Sequence, residues 1–157
     1  MTTQRAIDEF LAHPSLAVIG VSRSGRKFGN TASRVLREKG YVVYPIHPSA
    51  TAIDGVTCYR RFSDLPEAVE CALVVVPPAN AIDVIRAAAA AGIRHIWLQQ
   101  GAESPAAEAT ASMLGVELIA GECILMFARP TGIHKLHLLC RRVVGRALPN
   151  SGFSPPA

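Results

Sequence analysis

Residues 17–32 read AVIGVSRSGRKFGNTA, an apolar strand pattern that breaks abruptly into glycines, hydroxyls and cations before a helix-like segment. After Gly20 come Ser22, Arg23, Ser24, Gly25, Arg26, Lys27, Gly29 and Asn30, with a helix expected from near Thr31. A helix N-terminus presents unpaired N–H groups and a partial positive charge, so a diphosphate docks there without dedicated side chains. The glycines permit close approach, Ser22, Ser24 and Asn30 add donors, and the cations add charge. The spacing rejects two familiar cradles. Val21 and Ser22 follow Gly20, so G-x-G-x-x-G is absent. Gly20 and Gly25 match the glycines of a P-loop, but Arg26, Lys27 and Phe28 do not match what should follow.

Outward from this stretch the chain alternates between two patterns. Short apolar runs occur at residues 16–20 (LAVIG), 41–46 (YVVYPI), 72–78 (ALVVVPP), 95–100 (HIWLQQ) and 116–121 (VELIAG), as strands buried on both faces read. Helix-like stretches at 30–39, 82–91 and 106–114 lie between them, and Ile7, Phe10 and Leu11 mark an opening helix closed by Pro14. Residues 58–67 (CYRRFSDLPE) suggest a shorter third strand and a brief helix capped by Ser63 or Asp64. Such alternation predicts βαβ units, hence an α/β fold: a doubly wound parallel sheet, Rossmann-type, in a single domain. The expected bounds are 1–147 for that domain and 148–157 for a flexible tail. Ligands of such sheets bind at the carboxyl ends of the strands beside strand one, where the quoted stretch lies.

Composition bounds the partners. The chain has 157 residues, half of them hydrophobic, enough for one domain with a substantial core. A net charge of +4 favours anionic ligands but is too small to imply nucleic acid. No run is long and apolar enough to cross a membrane, and the charged start does not read as a secretory signal. Cys58, Cys71, Cys123 and Cys140 are widely spaced without a C-x-x-C pair, which fits a reducing cytoplasm.

The second strand ends in YPIHPSA (44–50), where NAD-binding proteins carry an acid for the ribose hydroxyls. His47, Pro48 and Ser49 instead tolerate an anionic ribose, as in coenzyme A or NADP. No acidic pair has a spacing that enforces catalysis, so no catalytic residue is assigned. Cys123 reads as packing. His134, His137 and Cys140, three residues apart on an expected closing helix, read as the polar side of a packed helix, and no metal set is assigned. Lys135, Arg141, Arg142 and Arg146 read as a solvated face rather than a nucleic-acid surface.

The quoted stretch, YPIHP, VVVPP, IWLQQGA and GVELIAGECI, in this order, resemble the small stand-alone CoA-binding proteins and the CoA-binding domain of the succinyl-CoA synthetase α subunit. The resemblance covers about residues 10–142. It implies a Rossmann fold that binds coenzyme A or acyl-CoA, and the first reading drawn from it is a non-catalytic sensor, carrier or regulatory module. By it, Gly20, Val21, Ser22, Arg23, Ser24, Lys27, Gly29 and Asn30 form the phosphate loop. His47 and Pro48 flank the adenosine, Val76, Pro77 and Pro78 wall the adenine, and Leu98, Gln99 and Gln100 approach the ribose or pantetheine. Many relatives carry Asn at the His47 position and the synthetase has a lysine shortly after it, so the ribose phosphate contact is not carried over. The synthetase's phosphorylated histidine lies in a further domain, and ligase activity is not implied. Two competing readings are an NADP- or NAD-binding oxidoreductase and a nucleotide-sensing regulator. A homodimer or an unidentified protein partner is left open.

Overall fold

The computed structural model describes residues 2–128. In chain order the elements are α1 (Gln4–Ala12), β1 (Ser15–Ile19), α2 (Phe28–Glu38), β2 (Val42–Ile46), β3 (Ala52–Ile53), β4 (Val56–Thr57), a 3-10 turn at Phe62–Asp64, β5 (Cys71–Val74), α3 (Pro78–Ala90), β6 (His95–Gln99), α4 (Pro105–Met113), β7 (Glu117–Glu122) and a 3-10 turn at Ile124–Met126. Five strands make one parallel sheet in the order β2-β1-β5-β6-β7, while β3 and β4 form a separate antiparallel hairpin. The fold is α/β and Rossmann-type, with the chain leaving β1 to opposite sides.

Strand alternation sorts the core into two layers. Leu16, Val18, Leu73, Trp97 and Ile119 face α1 and α2 through Ile7, Phe10, Ala32 and Leu36. Ala17, Ala72, Val74, Ile96 and Leu98 face α3 and α4 through Ala81, Ile85, Ala88, Ala107 and Ala111. To the second layer α3 and α4 contribute mainly alanines, which lets both helices lie close to the sheet. In the first, Trp97 is fully buried, meets Phe10 edge-on at 5.4 Å between centroids, and donates its Nε1–H to Glu122 O at 2.9 Å. That bond satisfies the indole's one polar group, which offsets the cost of taking its N–H out of water.

Three expectations are corrected. Residues 58–67 form no strand: Tyr59 alone bridges Ile46, and the 3-10 turn that follows is capped by Arg61 without a side-chain bond, not by Ser63 or Asp64. Arg60, Arg61, Ser63 and Asp64 are too polar for a two-faced buried strand, and β5 takes the third place. Next, β5 stops at Val74 and α3 begins at Pro78, so Pro77 is the cap and Pro78 the first residue of the helix. Proline suits that position because its missing N–H would be unpaired there anyway. Finally, α2 begins at Phe28, which puts Gly29 and Asn30 inside its first turn. The expected closing helix with His134, His137 and Cys140, and the 148–157 tail, lie outside the described residues.

Candidate functional site

The order reverses at β1, and the crevice there opens at the carboxyl ends of β1 and β5. Gly20 leaves β1 at φ +103°, and a Cβ on it would stand 1.9 Å from Val75 O. A Cβ on Gly29 would stand 2.5 Å from Gly20 O. Two glycines therefore let the loop lie on β5 and let the first turn of α2 press on the loop. The N-terminus of α2 is thereby aimed into the crevice.

Lys27 caps α2 in an extended conformation without a side-chain hydrogen bond, whereas Thr3 caps α1 and Ser104 caps α4 through their hydroxyls. Lys27 O accepts from Asn30 N and Thr31 N at 3.0 and 3.3 Å, but the N–H groups of Phe28 and Gly29 precede any intrahelical acceptor. Arg23, Ser24, Arg26 and Lys27 are exposed around this end. The residues that shape the loop differ from those that face solvent. Asn30 is fully buried, with Oδ1 accepting from Ser22 N at 2.8 Å and Nδ2 donating to Ser22 O at 2.9 Å. Its expected role as a phosphate donor is corrected, since both ends of its carboxamide hold the loop. Val21 is buried in the α1/α2 layer and offers a ligand only its backbone.

Sequence reasoning missed Arg34 and Asp54, and it did not foresee that Ser49 pairs with Arg23. Arg34 Nη1 donates to Asp54 Oδ2 at 3.0 Å and to Gly25 O at 3.3 Å, and Asn30 Nδ2 reaches the same carboxylate oxygen at 3.4 Å. Asp54 thus braces the loop from outside, its charge answered by Arg34. Ser49 accepts from Arg23 Nη2 through both its carbonyl, at 3.2 Å, and its hydroxyl, at 2.7 Å. The readable signal was Asp54-Gly55 between two apolar pairs, a two-residue hairpin pattern, and both residues have positive φ.

At the end of β2, His47 Nδ1 accepts from Ser49 N at 3.2 Å and Ala50 N at 3.0 Å. A nitrogen that accepts two N–H groups carries no proton, so the neutral ring holds its proton on Nε2 as a donor. Pro48 is exposed beside it. Between the ends of β5 and β6 lies a cleft of about 250 Å³ lined by Val75, Val76, Pro77, Gln99, Gln100 and Gly101 among others. Leu98 does not join it. Its side chain is fully buried against α3 and α4, which corrects the expectation that it meets a ligand. Gln99 is also buried, and its Oε1 accepts from Ile124 N at 3.2 Å, while Gln100 is exposed. Cys123 packs against the α1/α2 layer. A larger cavity of about 390 Å³ lies by α1, α4 and β7, but Glu103, Glu108 and Glu117 line it, which suits no anion. The remaining expected site residues all lie at the carboxyl ends of β1, β2, β5 and β6.

A family model described as a CoA binding domain matches residues 14–129. The chain is 29% identical over 108 residues to a trans-feruloyl-CoA synthase from an unknown prokaryotic organism, covering 68% of this chain and 15% of that protein. It is 40% identical over 70 residues to an ADP-forming acetate–CoA ligase I of Archaeoglobus fulgidus, covering 44% of this chain and 10% of the ligase. It therefore spans a small fraction of the curated relatives it matches. A solved structure of a conserved hypothetical protein from Pyrococcus furiosus superposes with a TM-score of 0.67 at 36% identity, covering 71% of this chain and 97% of that one.

Proposed function

The chain belongs to the CoA-binding domain family, and from that premise we propose that it binds coenzyme A or acyl-CoA without catalysis, as a sensor, carrier or regulatory module. The observation that carries this reading is the N-terminus of α2, left without a side-chain cap at Lys27 and pressed into the crevice by Gly20 and Gly29. The donor set fits the ligand: a diphosphate takes the N–H groups of Phe28 and Gly29, the hydroxyl of Ser24, that of Ser22 once it turns from Asn30 Oδ1, and the charges of Arg23 and Lys27. Arg23 reaches it by releasing Ser49. The Nε2–H of His47 is the donor offered to an anionic ribose, and Val76, Pro77 and Gln100 border the cleft beside the adenine and pantetheine. Cys58, Cys71 and Cys123 are free thiols, which supports a reducing compartment, the cytoplasm, as the place of action.

The test is a calorimetric titration of the purified chain with coenzyme A, dephospho-CoA and NADP. Micromolar or tighter binding of coenzyme A, about 8 kcal/mol or more, is expected, with NADP failing to compete. Lys27→Ala should weaken it about tenfold and flatten its dependence on salt, because a phosphate-neutralising charge is gone. An unchanged isotherm in that variant removes the loop from the site, and tighter binding of NADP than of coenzyme A replaces the ligand.

A further inference from the structure

We propose that His13, Glu70 and His95 form a binding site for a divalent transition-metal ion of zinc type, at the end of the sheet opposite the CoA crevice. His13 caps the C-terminus of α1, Glu70 immediately precedes β5, and His95 opens β6. Residues far apart in sequence thus meet where the parallel strands begin. One ligand atom from each lies within 4.8 Å of the other two.

The backbone fixes the placement. Glu70 O accepts from Arg94 N at 2.9 Å and His95 N at 3.0 Å, and His13 N donates to Phe10 O at 3.3 Å. The two imidazoles stand 5.0 Å apart between centroids, tilted by 43°. Among the described residues no hydrogen bond occupies the His13 ring or the Glu70 carboxylate. Zinc bonds of about 2.0–2.1 Å bring tetrahedral donor atoms to roughly 3.4 Å from one another. Rotation of the exposed Glu70 side chain and the half-buried His13 ring covers that difference.

The donor set matches the metal in kind. Two neutral imidazoles and one carboxylate are a zinc set that leaves a fourth position for water. A fourth residue strengthens the case. Glu117 stands opposite His95 in the β6–β7 register, and its Oε2 lies 2.9 Å from His95 Nδ1. The carboxylate accepts from Nδ1–H, which leaves Nε2 as the ring nitrogen to face an ion. Such a carboxylate behind a ligating histidine sets the tautomer and raises its basicity. An ion here ties the end of α1 to the starts of β5 and β6.

The test uses the full chain and the metal alone. Zinc is titrated in competition with a chromophoric chelator, and cobalt absorption reports the coordination. One ion per chain is expected, with affinity falling at least tenfold in His95→Ala and in Glu70→Gln. Glu117→Gln, a change to a positioning residue, should lower it by about tenfold and shift the cobalt spectrum while leaving the stoichiometry at one. The His134→Ala/His137→Ala and Cys123→Ser variants should bind as the parent does. If His95→Ala fails to fold, His13→Gln at the helix end serves in its place with the same expected loss. Absence of binding up to millimolar zinc overturns the proposal. So does equal affinity in the parent and a folded His13→Gln/Glu70→Gln variant, which puts the ion elsewhere.

Discussion

Asn30 holds Ser22 at both ends of one carboxamide, accepting its N–H at 2.8 Å and donating to its carbonyl at 2.9 Å. The Ser22 hydroxyl adds a third contact to the same oxygen at 3.2 Å. One fully buried side chain on the first turn of α2 therefore sets the shape of a loop whose Arg23, Ser24, Arg26 and Lys27 face solvent.

Asn30→Ala leaves two backbone groups of a tight loop without their partners. It should lower stability by roughly 2–3 kcal/mol, the sum of lost bonds and of polar groups left poorly paired. Coenzyme A affinity should fall as well, since the loop is no longer held open. Urea unfolding and titration measure the two effects; undiminished affinity in a folded variant would separate this latch from the ligand site.

Gly20→Ala and Gly92→Ala distinguish collision from backbone strain. Both glycines have positive φ, +103° and +91°, but the added Cβ at Gly20 meets Val75 O at 1.9 Å, whereas at Gly92 it meets nothing within 4 Å. Gly92→Ala should cost about 1–2 kcal/mol from conformation alone. Gly20→Ala must also move β5 or the loop and should cost about 4 kcal/mol or more, in the range reserved for severe core changes. Equal melting temperatures for the two variants would refute the close approach.

What the sequence reveals follows the range of the interactions. Strands buried on two faces are continuous apolar runs, so β1, β2, β6 and β7 lie within a residue of their expected bounds. The loop after β1 is contiguous, and its glycines and cations are visible together. Asp54 and Ser49 are not, because they reach the loop from the connection after β2, and only tertiary packing brings them there. Leu98 fails for a different reason. A strand end does not announce which residue leaves the core, and the β6–β7 register shifts between Trp97 and Gln99. His13, Glu70 and His95 have no helical or hairpin spacing, so nothing short of the sheet order joins them.

Cys71 gives a pH dependence. Burial, with the neighbouring Glu70 carboxylate adding, pushes its thiol up to about 12 from an ordinary value near 9. The unfolded chain releases this proton at lower pH than the native chain does. The stability contributed by the neutral buried thiol is therefore whole below pH about 9 and is lost as pH climbs toward about 12. The Tyr44 hydroxyl, which donates to Glu67 Oε1 at 2.8 Å, is likewise pushed up to about 12, so the comparison belongs in a Tyr44→Phe background. Between pH about 8 and pH about 10.5 the urea midpoint of that background should fall more steeply than after Cys71→Ala is added. Parallel slopes would show that the thiol does not respond to its burial.

The cap position of α2 separates the two things Lys27 does. Its side chain brings charge, and its failure to bond the helix end leaves the N–H groups of Phe28 and Gly29 without an acceptor. Lys27→Ala removes only the charge. Lys27→Ser removes the same charge and supplies a hydroxyl that accepts from the second or third N–H of the helix, Gly29 N or Asn30 N, as Ser104 does for Ala107 N at 3.2 Å in α4. Relative to alanine, serine should stabilise the ligand-free protein by about 1 kcal/mol. If a diphosphate takes the same N–H groups, that hydroxyl competes with it, and coenzyme A should bind severalfold more weakly to Lys27→Ser than to Lys27→Ala. Stability and affinity then move in opposite directions between two variants of equal charge, which electrostatics alone does not produce. Equal affinities, with serine still the more stable, would mean that the ligand is held by side-chain charge and that the helix end takes no part.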